Sequence, residues 1–120
     1  PGIMAHDALR GRQGTLATLT ATTISRLAPA LPSVWSGSNP VDLGGDAPVE
    51  RYRAALAALL EDANSDAILF IHAPGALVAS ADVARALVPL VKQSSRNVLT
   101  FWLGGAAVAE ARPLPSLIHL

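Results

Sequence analysis

The stretch Asn39-Pro40-Val41-Asp42-Leu43-Gly44-Gly45-Asp46-Ala47-Pro48, followed after a helical run by Asp66-Ala67-Ile68-Leu69-Phe70-Ile71-His72-Ala73-Pro74-Gly75, decides how this chain is read. Pro48 and Glu50 suit the first turn of a helix, where a missing N–H costs nothing and a negative charge meets the positive end of the dipole. Tyr52, Ala55, Leu56, Leu59 and Leu60 then recur at helical spacing. Asn64-Ser65-Asp66 is a turn. Residues 67–71 form an apolar run with no alternation, the pattern of a strand covered on both faces, as in a parallel sheet. The unit is loop, helix, strand, loop, and both loops fall on the same side of the sheet.

Downstream, Ser80 is placed to cap a helix whose core stripe is Val83, Ala84, Leu87, Val88 and Val91. Pro89 lies inside it and is expected to kink or shorten it, because one i→i−4 hydrogen bond is lost. Lys92 and Arg96 favour its C-terminal end. Residues 98–103 read as a second buried strand closed by Gly104-Gly105, and residues 106–111 as a last, short helix. Upstream, residues 2–13 read as a helix stopped by Gly14, and residues 16–19 as a brief strand. Thr22 or Thr23 would cap a turn of helix through Ile24 and Leu27, ended by Pro29 and Pro32. Trp35 reads as a packing residue. Strands alternate with helices, so the fold class is α/β with a mainly parallel sheet and helices on both faces.

With 120 residues, the chain has the size of one domain. Its residues are 51% apolar, enough for a real core and too many for disorder. No apolar run reaches the length of a membrane span. Formal net charge is zero and no basic cluster stands out, which argues against a nucleic-acid partner. Without cysteine, disulfides and thiolate chemistry are excluded, and a cytoplasmic setting is the expectation. Pro1-Gly2 opens directly into a helical run and the last residues are apolar, so a fragment of a longer multidomain protein is expected.

In parallel α/β sheets ligands meet the loops at the carboxyl ends of the strands. That rule selects the region before Gly2, residues 39–45, residues 72–76 and Gly104-Gly105. Asn39 and Asp42 either present an amide and a carboxylate at a site edge or form an Asx turn. Gly44-Gly45 either lets a ligand approach the backbone or only permits positive φ. His72 ends a strand, where it would act as acid, base or phosphate donor, or serve as a buried histidine bonded to its surroundings. The second reading has the better claim, since no nucleophile with a motif-level partner accompanies it. No catalytic residue is assigned. His6 and His119 show no metal spacing, and no metal site is expected. Neither GxxxxGK[ST] nor GxGxxG is present, which leaves the helix starts at Pro1-Gly2 and after Gly75 as places that attract anions.

The run from Asn39 to Pro48, with Arg51-Tyr52, Ala55-Leu56, Gly2-Ile3-Met4-Ala5, Asp7-Ala8, Leu31-Pro32, Trp35-Ser36, Asp66-Ala67-Ile68-Leu69, His72-Ala73-Pro74 and Gly104-Gly105, resembles the third domain of the NDP-forming acyl-CoA synthetases. These are fused relatives of succinyl-CoA synthetase, some joined to a GNAT acetyltransferase. The resemblance implies a single CoA-ligase domain over residues 1–120, three-layer α/β/α and flavodoxin-like, equivalent to the C-terminal domain of the succinyl-CoA synthetase β subunit. The strand and Gly-rich loop that precede the first helix in that family are not in this sequence, nor is its Gly-Ile-Pro turn and closing helix after Ala111. In the family, acyl-CoA and phosphate give an acyl phosphate, and a histidine of a neighbouring domain carries the phosphoryl group to ADP on an ATP-grasp domain.

The resemblance implies that this domain steadies the phosphohistidine or acyl-phosphate site through helix N-termini and loop backbone. The residues facing that site would be Gly2, Ile3, Asn39, Asp42, Gly44, Gly45, His72, Ala73, Pro74 and Gly75. His72 itself does not match the phosphorylated histidine. No cofactor is expected in this domain. CoA and ATP or ADP with Mg would belong to the parent protein. Its partners would be the CoA-binding, phosphohistidine and ATP-grasp domains, and an exposed sheet edge would pair two copies as a homodimer. The alternative function is a regulatory, nucleotide- or acyl-CoA-sensing scaffold in an acetyltransferase fusion.

Overall fold

The computed structural model describes residues 14–103, together with Gly11 and the pair 118–119. Among these residues the elements run α1 (Ala21–Leu27), α2 (Val49–Leu60), β1 (Ala67–His72), α3 (Ser80–Gln93), β2 (Asn97–Trp102) and β3 (Ile118–His119). The strands lie in the order β1-β2-β3, and both pairings are parallel. Ala67 faces Asn97, His72 faces Trp102, and Leu99 faces Ile118. Parallel strands need a crossover, which α3 supplies between β1 and β2. The α/β class with a parallel sheet is thus present as expected.

Period two along β1 and β2 sorts their side chains into two faces. Ile68, Phe70, Val98, Thr100 and Trp102 share a face with the buried His72 and lie under the helices. There Leu56 of α2 and Val83, Ala84 and Leu87 of α3 form one core cluster with Trp102. A second cluster joins Leu19, Leu27 and Leu31 to Ala55 and Ala58, with Trp35 packed against it. Helix α2 therefore belongs to both, turning Leu56 to the sheet side and Ala55 and Ala58 toward α1. The expectation that the β1 run is covered on both faces is corrected among the described residues. On the opposite face Leu69 and Phe101 are 47% and 40% exposed.

Several local expectations change for identifiable reasons. Residues 16–19 are not a strand. Their backbone is held by side chains instead, Asn39 Nδ2 donating to the Ala17 carbonyl and Asn64 Nδ2 to that of Thr18, each at 2.8 Å. The cap of α1 is Thr20, whose hydroxyl accepts from the Thr23 N–H, and not Thr22 or Thr23. Pro48 is the N-cap of α2 and Glu50 lies in its first turn. Ala79 is the N-cap of α3, so Ser80 is its first residue and does not cap it. Pro89 does not end α3, which continues to Gln93. It sits on the exposed side, where water can take the carbonyl that its missing N–H leaves free. Arg96 lies beyond α3 and donates to the Leu59 and Asp62 carbonyls at the end of α2. The expected helix over residues 2–13 lies outside the described residues apart from Gly11, which is helical, as do Gly104-Gly105 and residues 106–111.

Asp62 closes α2. Its carboxylate is 1% exposed and accepts from the Thr20 N–H at 3.0 Å, the Thr20 hydroxyl at 3.3 Å and the Asn64 N–H at 2.8 Å. Burial acts to raise its pKa, but hydrogen bonds from Thr23, Thr20 and Asn64 favour the anion more, and the net direction is down. Asp62→Ala is expected to lower the unfolding free energy in urea by about 2 kcal/mol, because buried N–H donors lose their acceptor. The stabilisation from the ionised group is complete above the ordinary carboxyl value and is lost as pH falls through the depressed folded value. Asp62→Asn should therefore flatten the acid limb of the stability curve. An unchanged limb would contradict this account.

Candidate functional site

The carboxyl ends of β1 and β2 meet two loops, the one before α2 and the one between β1 and α3. Asn39 and Asp42 serve the first loop from within. Asn39 donates to the Ala17 carbonyl, and the Asp42 carboxylate accepts the Gly44 N–H at 2.9 Å, which is an Asx turn. Gly44 has φ +82°, which requires glycine, and Pro32 Cγ lies 3.2 Å from where a Cβ would stand, so the space is tight as well. Arg51 steadies the loop by donating to the Leu43 carbonyl at 2.9 Å. Gly45 is different: a Cβ there would meet nothing within 4 Å, and its backbone is open. Residues 73–77 of the second loop are exposed throughout. The two loops touch through Asp46, the residue after Gly45, which lies against Gly75 and the Leu77 N–H; of the expected residues it is Gly75 that meets the first loop. Gly2 and Ile3 lie outside the described residues.

His72 does not point into that edge. It is 2% exposed, and its Nε2 lies 2.9 Å from the Ser80 hydroxyl at the start of α3. Its ring sits in an aromatic group, 5.7 Å from Tyr52, 6.3 Å from Phe70 and 5.0 Å from Trp102 by ring centroids. Among the described residues His72 Nδ1 and Trp102 Nε1 are buried without a hydrogen-bond partner. This arrangement holds the loop from below, since the Leu103 N–H also donates to the His72 carbonyl at 2.8 Å. Burial lowers the pKa of His72. Tyr52 is pushed up, first by burial, then by the Asp46 carboxylate, against the opposing charge of Arg51.

Sequence reasoning missed Asp46 and the Ser80–His72 contact. Asp46 has φ +52° and its Oδ1 accepts the Leu77 N–H at 3.3 Å, so it touches the second loop. A Gly-Gly-Asp run signals a turn, but nothing local in it tells which distant loop the carboxylate reaches. Ser80 was readable as a helix start, and its proximity to His72 needed the tertiary fold. Among the described residues no group of three or more His, Cys, Asp or Glu is placed to hold a metal ion.

Because His72 resists protonation when folded, the unfolded chain takes up a proton more readily as pH falls below about 6.5. Stability is therefore complete above that value and declines toward the depressed folded value, with a slope of at most about 1.4 kcal/mol per pH unit from this group. His72→Phe should remove that part of the slope in urea titrations between neutral and mildly acidic pH. A wild-type curve flat through this range would refute it.

No protein-family profile matches the chain. By sequence it is 35% identical over 111 residues to an ADP-forming acetate–CoA ligase, form I, of Archaeoglobus fulgidus, covering 92% of this chain. The match spans only 15% of that enzyme's length. A crystal structure of a Pyrococcus horikoshii protein superposes with a TM-score of 0.89 at 28% identity, over 99% of this chain and 29% of that one. The dinucleotide-forming acetyl-coenzyme A synthetase 1 of Ca. Korarchaeum cryptofilum, solved in complex with phosphate and ADP, gives 0.83 at 27% identity over 92% of this chain and 24% of that one. Sequence and fold agree on one relationship: the chain is a domain homologous to part of the ADP-forming acetyl-CoA synthetases, within the NDP-forming acyl-CoA synthetase family.

Proposed function

We propose that this domain is the ligase-type domain of an NDP-forming acyl-CoA synthetase and holds the acyl-phosphate or phosphohistidine site through loop backbone. The observation that carries the reading is the match over 92% of the chain, combined with two loops meeting at the carboxyl edge of a parallel sheet. In the proposed reaction a phosphate oxygen attacks the thioester carbonyl, the C–S bond breaks and CoA leaves. The acyl phosphate then passes its phosphoryl group to a histidine of another domain, the P–O bond breaking to release the free carboxylate, and the phosphohistidine passes it on to ADP. This chain supplies no nucleophile. The N–H groups of Gly45, Ala73 and Gly75 stabilise developing charge without reorganising, the Gly44 N–H being held by Asp42.

The parent's other parts belong to the same reading. CoA-binding, phosphohistidine and ATP-grasp domains would provide CoA, nucleotide and Mg, and the parent would work in the cytoplasm. The fold would be the flavodoxin-like, three-layer form, with a strand of the parent pairing the β1 edge that has no partner among the described residues. In the isolated chain that edge would pair two copies. The half-exposed Leu69 and Phe101 support a further layer on their face.

Two outcomes test the reading. The isolated chain with acyl-CoA, phosphate, ADP and Mg should form no ATP, and detectable ATP would sink the proposal that the other domains are required. Gly45→Tyr, made in the parent, should leave the melting temperature unchanged, since the position is open. Its turnover should fall by at least about tenfold, because displacing a positioned group by an ångström is costly. Unchanged turnover would remove these loops from the site. A parent lacking turnover altogether, but binding nucleotide or acyl-CoA, would point to the regulatory acetyltransferase-fusion role instead.

A further inference from the structure

We propose that Asp46 is a positioning residue that latches the loop after β1 to the loop before α2, so that both backbones stand at the sheet edge as one rigid unit. Three observations converge on it. The backbone of Asp46 adopts φ +52°, the left-handed region that few residues with a side chain enter and that Asp tolerates. Its Oδ1 accepts the N–H of Leu77, 31 residues away. A Cβ on Gly75 would collide with that same oxygen and stand 3.0 Å from Asp46 Cγ.

Gly75 is not among the positive-φ glycines. Its missing side chain therefore serves space and not torsion: the carboxylate lies against bare backbone. Burial does not hold the second loop. Residues 73–77 are exposed, and the Leu77 side chain is 81% exposed although its N–H is bound. Nor does Asp46 join an ion pair among the described residues, where the pairs are Arg26–Glu61, Glu50–Arg53 and Asp82–Arg85. The Asp46 end is the firm one. Ala47 beside it is fully buried, and Pro48 begins α2. The latch thus ties a loose loop to a fixed one.

The latch rests on the geometry of this chain, while its bearing on catalysis rests on the function proposed above, so two measurements keep them apart. In the 15N-labelled chain, Asp46→Ala and Gly75→Ala should each speed amide exchange at Leu77 on the order of tenfold, the loss of one charge-assisted hydrogen bond, while amides of Leu87 and Val83 stay protected. Asp46→Asn, which keeps an acceptor oxygen and tolerates positive φ, should restore protection. Unchanged exchange in both alanine variants, or exchange in Asp46→Asn as fast as in Asp46→Ala, would overturn the latch. In the parent synthetase Asp46→Ala should lower kcat more than it raises KM, with rescue by Asp46→Asn. Faster exchange with unaltered turnover would leave the latch standing and remove these loops from the active site.

Discussion

The structure depends most on one buried carboxylate. Asp62 ends α2, fixes the start of α1 through the Thr20 backbone and hydroxyl, and shapes the turn into β1 through the Asn64 N–H. Its own carbonyl takes the Arg96 guanidinium from the turn before β2. Three stretches distant in sequence, around Thr20, residues 62–64 and Arg96, are thus set by one residue and its peptide group. An anion that is nearly fully buried survives only because every lone pair that matters meets a donor. The hydrophobic clusters on either side of α2 supply the larger share of burial, yet they are tolerant of shape. This hydrogen-bonded node specifies which way α2 faces, and hence which of its sides meets the sheet.

The opposite end of the sheet is built on a different principle. There the support is aromatic: Tyr52, Phe70, His72 and Trp102 pack edge and face at centroid distances of 5.0–6.3 Å. His72 contributes as a neutral ring with one hydrogen bond to Ser80. A firm platform beneath loops that are themselves exposed lets backbone groups be aimed without burying them, which suits a site that works through N–H donors.

Much of this was legible in the sequence because it is local. The helical stripe from Tyr52 to Leu60, the apolar run of β1, the stripe of α3 and the second strand all appear, since periodicity records which side chains share a face. The Asx turn at Asp42 and the glycine at residue 44 were readable for the same reason. What escaped is non-local. Residues 16–19 look like a strand, but pairing needs a neighbour, and Asn39 and Asn64 hold that backbone instead. The β1 run looks covered on both sides, because its composition cannot say which helices reach which face. Thr20, Ser80 and Arg96 each took partners that spacing alone does not reveal. At the candidate edge the glycines and prolines were visible, whereas Asp46 was not, because its partner lies on another loop.

The bare backbone at Gly75 also constrains how such domains can diverge. Most positions along residues 73–77 contact little, so drift there leaves the fold intact, and the loop is free to adapt to different ligands. Gly75 and Asp46 are the exception, because any side chain at the first position occupies the space of the second. A side chain at residue 75 fits only where the Asp46 carboxylate has moved or gone. Within homologous domains they should behave as a linked pair, a side chain at residue 75 arising most readily where the acidic residue has already been lost.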